Sequence, residues 1–215
     1  MALQNLIRIS LIKTAIFNVH YFGWASLLKP KVICARGVQL LKLQGKVDVR
    51  SEKIGAVRLG FGDVGILDRK KTTIFQNSGT IVFNGKADIG FGSAISCSGE
   101  LEVGENFIIS SSSSIMATKK VMIGDNCLFS WDCLLMDSDF HEIKSLQTGE
   151  VMNQSESIII GDSVWLGCRC LILKGARISH DIVVAANSTV TRDLDESNSI
   201  YVSNQRNKTD IRWNF

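Results

Sequence analysis

Residues 81–103 read Ile81-Val82-Phe83-Asn84-Gly85-Lys86-Ala87-Asp88-Ile89-Gly90-Phe91-Gly92-Ser93-Ala94-Ile95-Ser96-Cys97-Ser98-Gly99-Glu100-Leu101-Glu102-Val103. Phe83, Ile89 and Ile95 stand six apart, and each has a partner two residues earlier: Ile81, Ala87 and Ser93. Alternate residues of an extended chain share a face, so each pair marks a short strand with both side chains turned inward. The other four residues of each hexad must turn a corner, where Gly or Asn tolerates the positive φ required.

The pattern extends from this stretch toward the C-terminus. After two extra residues it returns as Val103, Ile109 and Ile115, and after two more as Ile123, Phe129 and Leu135, a repeat of 20 residues. Beyond a break it resumes without insertions at Ile160, Leu166, Ile172, Ile178, Val184 and Val190. The earlier partners continue as Leu101, Phe107 and Ser113, then Val121, Cys127 and Cys133, then Ile158, Val164 and Cys170, and finally Ala176, Ile182 and Ser188. Hydrophobic residues spaced by six wander around a helix, so a helical reading fails. Three short strands make one triangular coil, and coils stack about 4.8 Å apart by pairing their backbones. The predicted class is all-β, a parallel β-helix solenoid. Toward the N-terminus, Leu41, Leu43, Val47, Val49, Val57 and Leu59 fit degenerate first coils, with Asp68-Arg69-Lys70-Lys71 as a solvated turn. The expected organisation is a helical segment over 1–40, a solenoid over 41–198 interrupted by a loop at 136–157, and a tail over 199–215.

Composition agrees with a folded solenoid. Of 215 residues, 45% are hydrophobic and 21% charged, which excludes disorder. A net charge of +3 is too weak a bias to imply nucleic acid. The 6 cysteines are unpatterned, so no disulfide framework is expected and a reducing compartment fits. The apolar stretch from Leu3 to Leu28 is broken by Arg8, Lys13 and His20, short of the ~18 apolar residues a spanning helix needs. Those charges and the lack of a small-residue cleavage site also argue against a secretory signal. It reads as a helix ended by Pro30, with Leu3, Leu6, Ile7, Leu11, Ala15, Phe22 and Trp24 near one face. That face is expected to pack on the domain; peripheral membrane contact through residues 1–30 is the alternative.

The break in the repeat, between Leu135 and Ile158, is where chemistry is expected, because a long loop on a rigid scaffold commonly carries function. It opens Met136-Asp137-Ser138-Asp139-Phe140-His141-Glu142. Acyl transfer to an alcohol needs a base that works near neutrality, and histidine suits it. His141 is the candidate catalytic base. Asp137 or Asp139 would orient its ring, and a backbone carbonyl is the alternative to both. An oxyanion donor would be a backbone N–H at a coil corner. Trp131 and Asp132, and Ser112 and Ser113 one coil earlier, lie at corners and are candidates to line an acceptor pocket.

The run Ile160-Gly161-Asp162-Ser163-Val164-Trp165-Leu166-Gly167, followed by Ile172-Leu173-Lys174-Gly175, resembles the hexapeptide-repeat acyltransferases. The resemblance covers about residues 75 to 210 and is nearest to the sugar O-acetyltransferases of surface-polysaccharide synthesis. It implies a left-handed coil, which is rare among parallel crossovers. It implies acetyl-CoA as co-substrate, no metal, a homotrimer with sites between subunits, a cytoplasmic enzyme, peripheral at the inner membrane in the alternative above, and a carbohydrate acceptor, free or lipid-linked. It assigns the general base to a histidine placed as His141 is. On the donor side it implies Trp165 against the pantetheine arm, with Gly167, Ala185 and Ala186 where the backbone approaches that arm. Lys174, also counted on the donor side, stands where the family has Pro. The segment Asn204-Gln205-Arg206-Asn207-Lys208 aligns with the family's Gly-x-Pro-Ala-Lys. Arg206 departs from that pattern, and Lys208 is the expected phosphate contact. Competing readings are a serine or amino-sugar acceptor, or a non-catalytic assembly module. A zinc-dependent hydratase on the same scaffold would need more histidines than this loop offers.

Overall fold

The computed structural model describes residues 8–62, 68 and 70–213. Its described strands form three sheets of nine, seven and six strands. As far as Val190, successive strands go to successive sheets, so one strand from each makes a coil. Sheet 1 contains β1 (Val32–Cys34), β4 (Val57–Phe61), β7 (Ala87–Gly90), β10 (Phe107–Ile109), β13 (Leu128–Phe129), β16 (Trp165–Leu166), β19 (Ile182–Val184), β21 (Ser199–Val202) and β22 (Gln205–Lys208). Sheet 2 includes β2 (Val38–Leu43), β11 (Ser114–Ala117), β14 (Leu134–Met136) and β17 (Leu171–Leu173). Sheet 3 includes β3 (Lys46–Val49), β12 (Lys120–Ile123) and β15 (Ile158–Ile160). All pairings between coils are parallel, for example Ile115 with Leu135 and Leu135 with Ile172.

From Ile81 to Val190 the residues expected to face inward do so. Ile81, Phe107, Phe129, Leu135, Val164 and Ile172 are all fully buried. Burial of each such side chain contributes roughly 1.5–3 kcal/mol. The small inward residues at the corner between sheets 1 and 2 do a second job: they satisfy backbone that the turn would leave unpaired. Ser93 Oγ donates to Ser110 O (2.9 Å) and Ser113 Oγ to Ser130 O (3.0 Å). The thiols of Cys133 and Cys170 continue the ladder, donating to the carbonyls of Gly167 and Ala185 at 3.2 Å. At the same corner Ser112, Asp132, Arg169 and Asn187 repeat a left-handed φ of 58–61°.

Three departures from the sequence reading have physical causes. Leu41 is exposed, because a register shift between Leu40 and Lys42 on β2 reverses the inward alternation. Strands begin at Val32, within the expected helical segment. The helix itself, α1 (Leu11–Phe22), ends at Gly23 with φ 77°, well before Pro30, and a 3-10 turn over Trp24–Leu27 follows. Leu11 and Trp24, assigned to the packing face, are 80% and 78% exposed; the buried face is Thr14, Phe17 and Asn18. Leu3, Leu6 and Ile7 lie outside the described residues, as does Arg69.

Candidate active site

The loop begins where a coil should have closed. One coil earlier, the N–H groups of Ser98 and Gly99 donate to Ala117 O, and that of Glu100 to Lys119 O. At 118–120 the corner that should stack next is missing, because the chain leaves after β14. Asp137 replaces it. Its fully buried carboxylate accepts from the N–H groups of Thr118 (2.8 Å), Lys119 (2.7 Å) and Lys120 (2.8 Å) and from the Thr118 hydroxyl (2.7 Å). A carboxylate so occupied has no lone pair left for an imidazole. Asp137 therefore anchors the loop and does not orient His141, which corrects one of the two alternatives read from the sequence.

Asp139 also does not touch the imidazole. Its Oδ2 accepts from Lys174 Nζ at 2.6 Å and from Asn153 Nδ2 at 2.8 Å. The Lys174 ammonium, then the Asn153 amide, hold the Asp139 carboxyl below its usual range. Lys174 can reach because β14 and β17 pair Met136 with Leu173, one residue before each partner's neighbourhood. Lys174 Nζ donates as well to Asn153 O at 3.0 Å. Within the chain the charge of Lys174, a donor-side candidate, is engaged by the loop.

Asn153 completes the clamp. Its Nδ2 donates to His141 O (2.8 Å) and its Oδ1 accepts from Ile143 N–H (2.6 Å). The backbone at His141 is thus gripped while the exposed imidazole makes no hydrogen bond among the described residues. Beyond the clamp a short hairpin projects, closed by Lys144 opposite Val151, with Met152 N donating to Ile143 O at 2.8 Å. Phe140, Ile143, Leu146 and Met152 stay exposed there.

Trp165 lies on the outer face of sheet 1, 36% exposed. Its indole N–H donates to Ser130 Oγ at 3.2 Å, and its ring stands 6.0 Å from that of Trp213. Trp213 in turn donates its ring N–H to Ser163 O at 2.7 Å. The expected tail is a hairpin: β22 pairs antiparallel with β21 and extends Trp165's sheet. Arg206 and Lys208 are both exposed on β22, but a register shift between them pairs Arg206 with Tyr201 and Lys208 with Ile200, so the strict alternation is broken there. Arg206 is ion-paired with Glu196. Gly167 has a packing reason to be small, since a Cβ there would lie 2.5 Å from the backbone nitrogen of Ala186, with Ala185 alongside.

The acceptor-side candidates separate. Ser113 is fully buried in the corner ladder and faces no solvent, which corrects its assignment to a pocket. The Ser112 hydroxyl accepts from Lys71 Nζ at 3.1 Å. Trp131 and Asp132 are half-buried at the opposite end of the sheet 2 strand from the loop, five residues or about 16 Å of extended chain from Asp137. Within one chain, therefore, His141 and the Trp131–Trp165 region do not converge. Burial pushes the Cys34 and Cys127 thiols up to about 12, so neither is a nucleophile near neutrality. Among the described residues no three His, Cys, Asp or Glu side chains gather as a metal site.

Asn153 and Trp213 were missed by sequence reasoning. An amide 12 residues from His141 carries no motif, and a C-terminal Trp has no repeat to place it. Lys174 was legible in principle, because stacking Leu135 on Ile172 puts residue 174 beside residue 137.

No family model matches the chain. Over 56 residues it is 41% identical to a polysialic acid O-acetyltransferase of Neisseria meningitidis, 26% of each chain. Over 97 residues it is 32% identical to the galactoside O-acetyltransferase of Escherichia coli K12, 44% of this chain and 46% of that one. The chain thus spans less than half the length of these curated relatives. In fold it matches the crystal structure of the polySia-specific acetyltransferase NeuO with TM-score 0.61 and 22% identity, over 83% of this chain and 72% of that one. The chain resembles the hexapeptide-repeat acyltransferases in sequence and in fold. A second solved structure, the polysialic acid O-acetyltransferase OatWY, matches with TM-score 0.50 and 20% identity, over 83% of this chain and 88% of that one.

Proposed function

We propose that the protein is an O-acetyltransferase that moves an acetyl group from acetyl-CoA to a carbohydrate hydroxyl in surface-polysaccharide synthesis. The observation that carries this reading is the loop: three side chains clamp the backbone at His141 and leave its imidazole unengaged. The matched relatives, acetyltransferases of polysialic acid and of galactosides, support the acceptor class. A left-handed coil is part of the same reading.

His141 takes the proton of the acceptor hydroxyl while the hydroxyl oxygen attacks the acyl carbon. A corner N–H stabilises the oxyanion. Collapse breaks the carbon–sulfur bond, and the imidazolium returns its proton to the departing thiolate. Bound acetyl-CoA supplies the acyl thioester. Trp165 and the exposed cations of β22 fit such a donor, offering an aromatic surface with Lys208 and Arg206 on the edge strand of the same sheet. Because His141 and Trp165 lie apart in one chain, the site is completed between subunits of a homotrimer, His141 of one facing Trp165 of the next. The apolar tip of the loop hairpin supplies contact surface. Use of acetyl-CoA and thiol-bearing cysteines fit a cytoplasmic enzyme, with an acceptor free or lipid-linked.

The test is incubation with acetyl-CoA and sialic acid polymers or galactosides, reading thiol release and the mass of the ester formed. Carbohydrate-dependent thiol release with an ester product is expected. Thiol release that no carbohydrate stimulates would overturn the acceptor class, and light scattering that gave a monomer at micromolar concentration would overturn the shared site.

A further inference from the structure

Helix α1 buries a mixed face. Phe17 enters the core, and Thr14 and Asn18 beside it face the solenoid because they finish a sheet edge. β1 is the first strand of sheet 1, and its backbone would otherwise be open on one side. Asn18 accepts from Val32 N–H (3.1 Å) and donates to Val32 O (2.6 Å), while Thr14 Oγ1 accepts from Cys34 N–H (3.0 Å). With that narrow face filled, several large apolar residues are left pointing out. Leu11, Ile12 and Ile16 are 80%, 75% and 51% exposed, and past Gly23 so are Trp24 (78%) and Leu28 (85%). Ile12 and Ile16, four apart, share one face of the helix.

The charge around this surface is one-sided. Residues 1–47 contain seven Lys and Arg and no Asp or Glu. Residues 1–87 hold 14 Lys and Arg against 4 Asp and Glu, net +10, while residues 88–215 hold 10 against 17, net −7. The whole-chain charge of +3 conceals this. Lys29 and Lys42 have no ion-pair partner among the described residues.

We propose that this end of the solenoid docks on an anionic bilayer surface. The apolar side of α1 and the Trp24–Leu28 turn enter the interfacial zone, and the surrounding lysines and arginines meet the headgroups. Trp suits that boundary, having an apolar ring and a polar N–H. Spanning is not implied: no helix among the described residues is long and apolar enough to cross a membrane. A second copy of the chain fits this surface poorly, because a two-fold contact would set one net-cationic patch against itself. The inference does not depend on the acetyl-transfer reading, and its test measures no catalysis.

The test floats the full chain with phosphatidylcholine vesicles, with and without phosphatidylglycerol. Recovery with anionic vesicles only, weakening as salt rises, is expected. Ile12→Ser/Ile16→Ser/Trp24→Ser should lower partitioning at least about tenfold, and Lys29→Glu/Lys42→Glu should lower it and flatten the salt dependence. Trp24 should be quenched by brominated lipid, a signal lost in Trp24→Phe, which gives a readout even if the triple variant folds poorly. Equal recovery of wild type and triple variant, no preference for anionic vesicles, or no lipid quenching of Trp24 would overturn the proposal. So would a change of oligomeric size in the triple variant with no vesicle binding by the wild type, which would make the face an interface between copies.

Discussion

The neck and the tip of the 137–157 loop are built in opposite ways. At the neck, Asp137 is fully buried and satisfies three backbone N–H groups, and Asp139, Asn153 and Lys174 bind one another across both legs. At the tip, the hairpin beyond Ile143 rests on a few backbone bonds, with Leu146 and Met152 in solvent. His141 sits at the boundary, backbone on the rigid side and ring on the open side. The difference teaches where order is needed: at the atom that must be positioned, not along the whole loop.

The largest effect should come from the neck. Asp137→Ala removes the acceptor for three corner N–H groups and leaves them unpaired, which should cost at least about 3 kcal/mol and lower the melting temperature markedly. Asp137→Asn should be nearly as harmful, since it turns an N–H donor toward donors. A variant that melted like the wild type would show that the corner does not depend on this carboxylate. Next comes Lys174→Ala, which frees Asp139 and one leg of the loop. Turnover should fall by roughly 10–100-fold, from misplacement alone, with the melting temperature nearly unchanged because the pair is exposed. If acetyl-CoA KM rose instead and kcat held, Lys174 would belong to the donor side after all.

The donor face should respond more weakly. Lys208→Ala should raise the acetyl-CoA KM several-fold with kcat intact, and Arg206→Ala less, because Arg206 is already paired with Glu196. Neither should matter with dephospho-CoA thioesters; equal sensitivity with both donors would make β22 structural. The smallest effect concerns pH. A carboxylate held below its usual range contributes order above that range and loses it only as pH falls through the depressed value. The Asp139–Lys174 clamp should therefore persist below ~4, the ordinary carboxylate value. Protection of the Ile143 amide, relative to its intrinsic exchange rate, should stay constant down to that point in the wild type and fall sooner in Lys174→Ala. Loosening of the wild type well above that point would contradict the clamp.

Much of this was legible in the hexads. Spacing alone predicted the inward residues from Ile81 to Val190, because a solenoid repeats one local geometry and a period of six admits few folds. It failed at Leu41, where a bulge reverses the alternation, and on α1, where apolar spacing was read as the packing face although the sheet edge required Thr14 and Asn18 there. The loop's place was legible as a gap in the repeat. Its wiring was not, since Asn153 and Lys174 reach Asp139 only through the folded register. Asp137 and Asp139 look equivalent in sequence, and only the missing corner separates them.

The most direct test of the central claim is acetyl transfer by His141→Ala, with donor binding measured in parallel. The account predicts that kcat falls by ~10²–10⁴-fold, the usual worth of a positioned general base, while acetyl-CoA binding and the melting temperature stay near wild type. Undiminished turnover in that variant would contradict it.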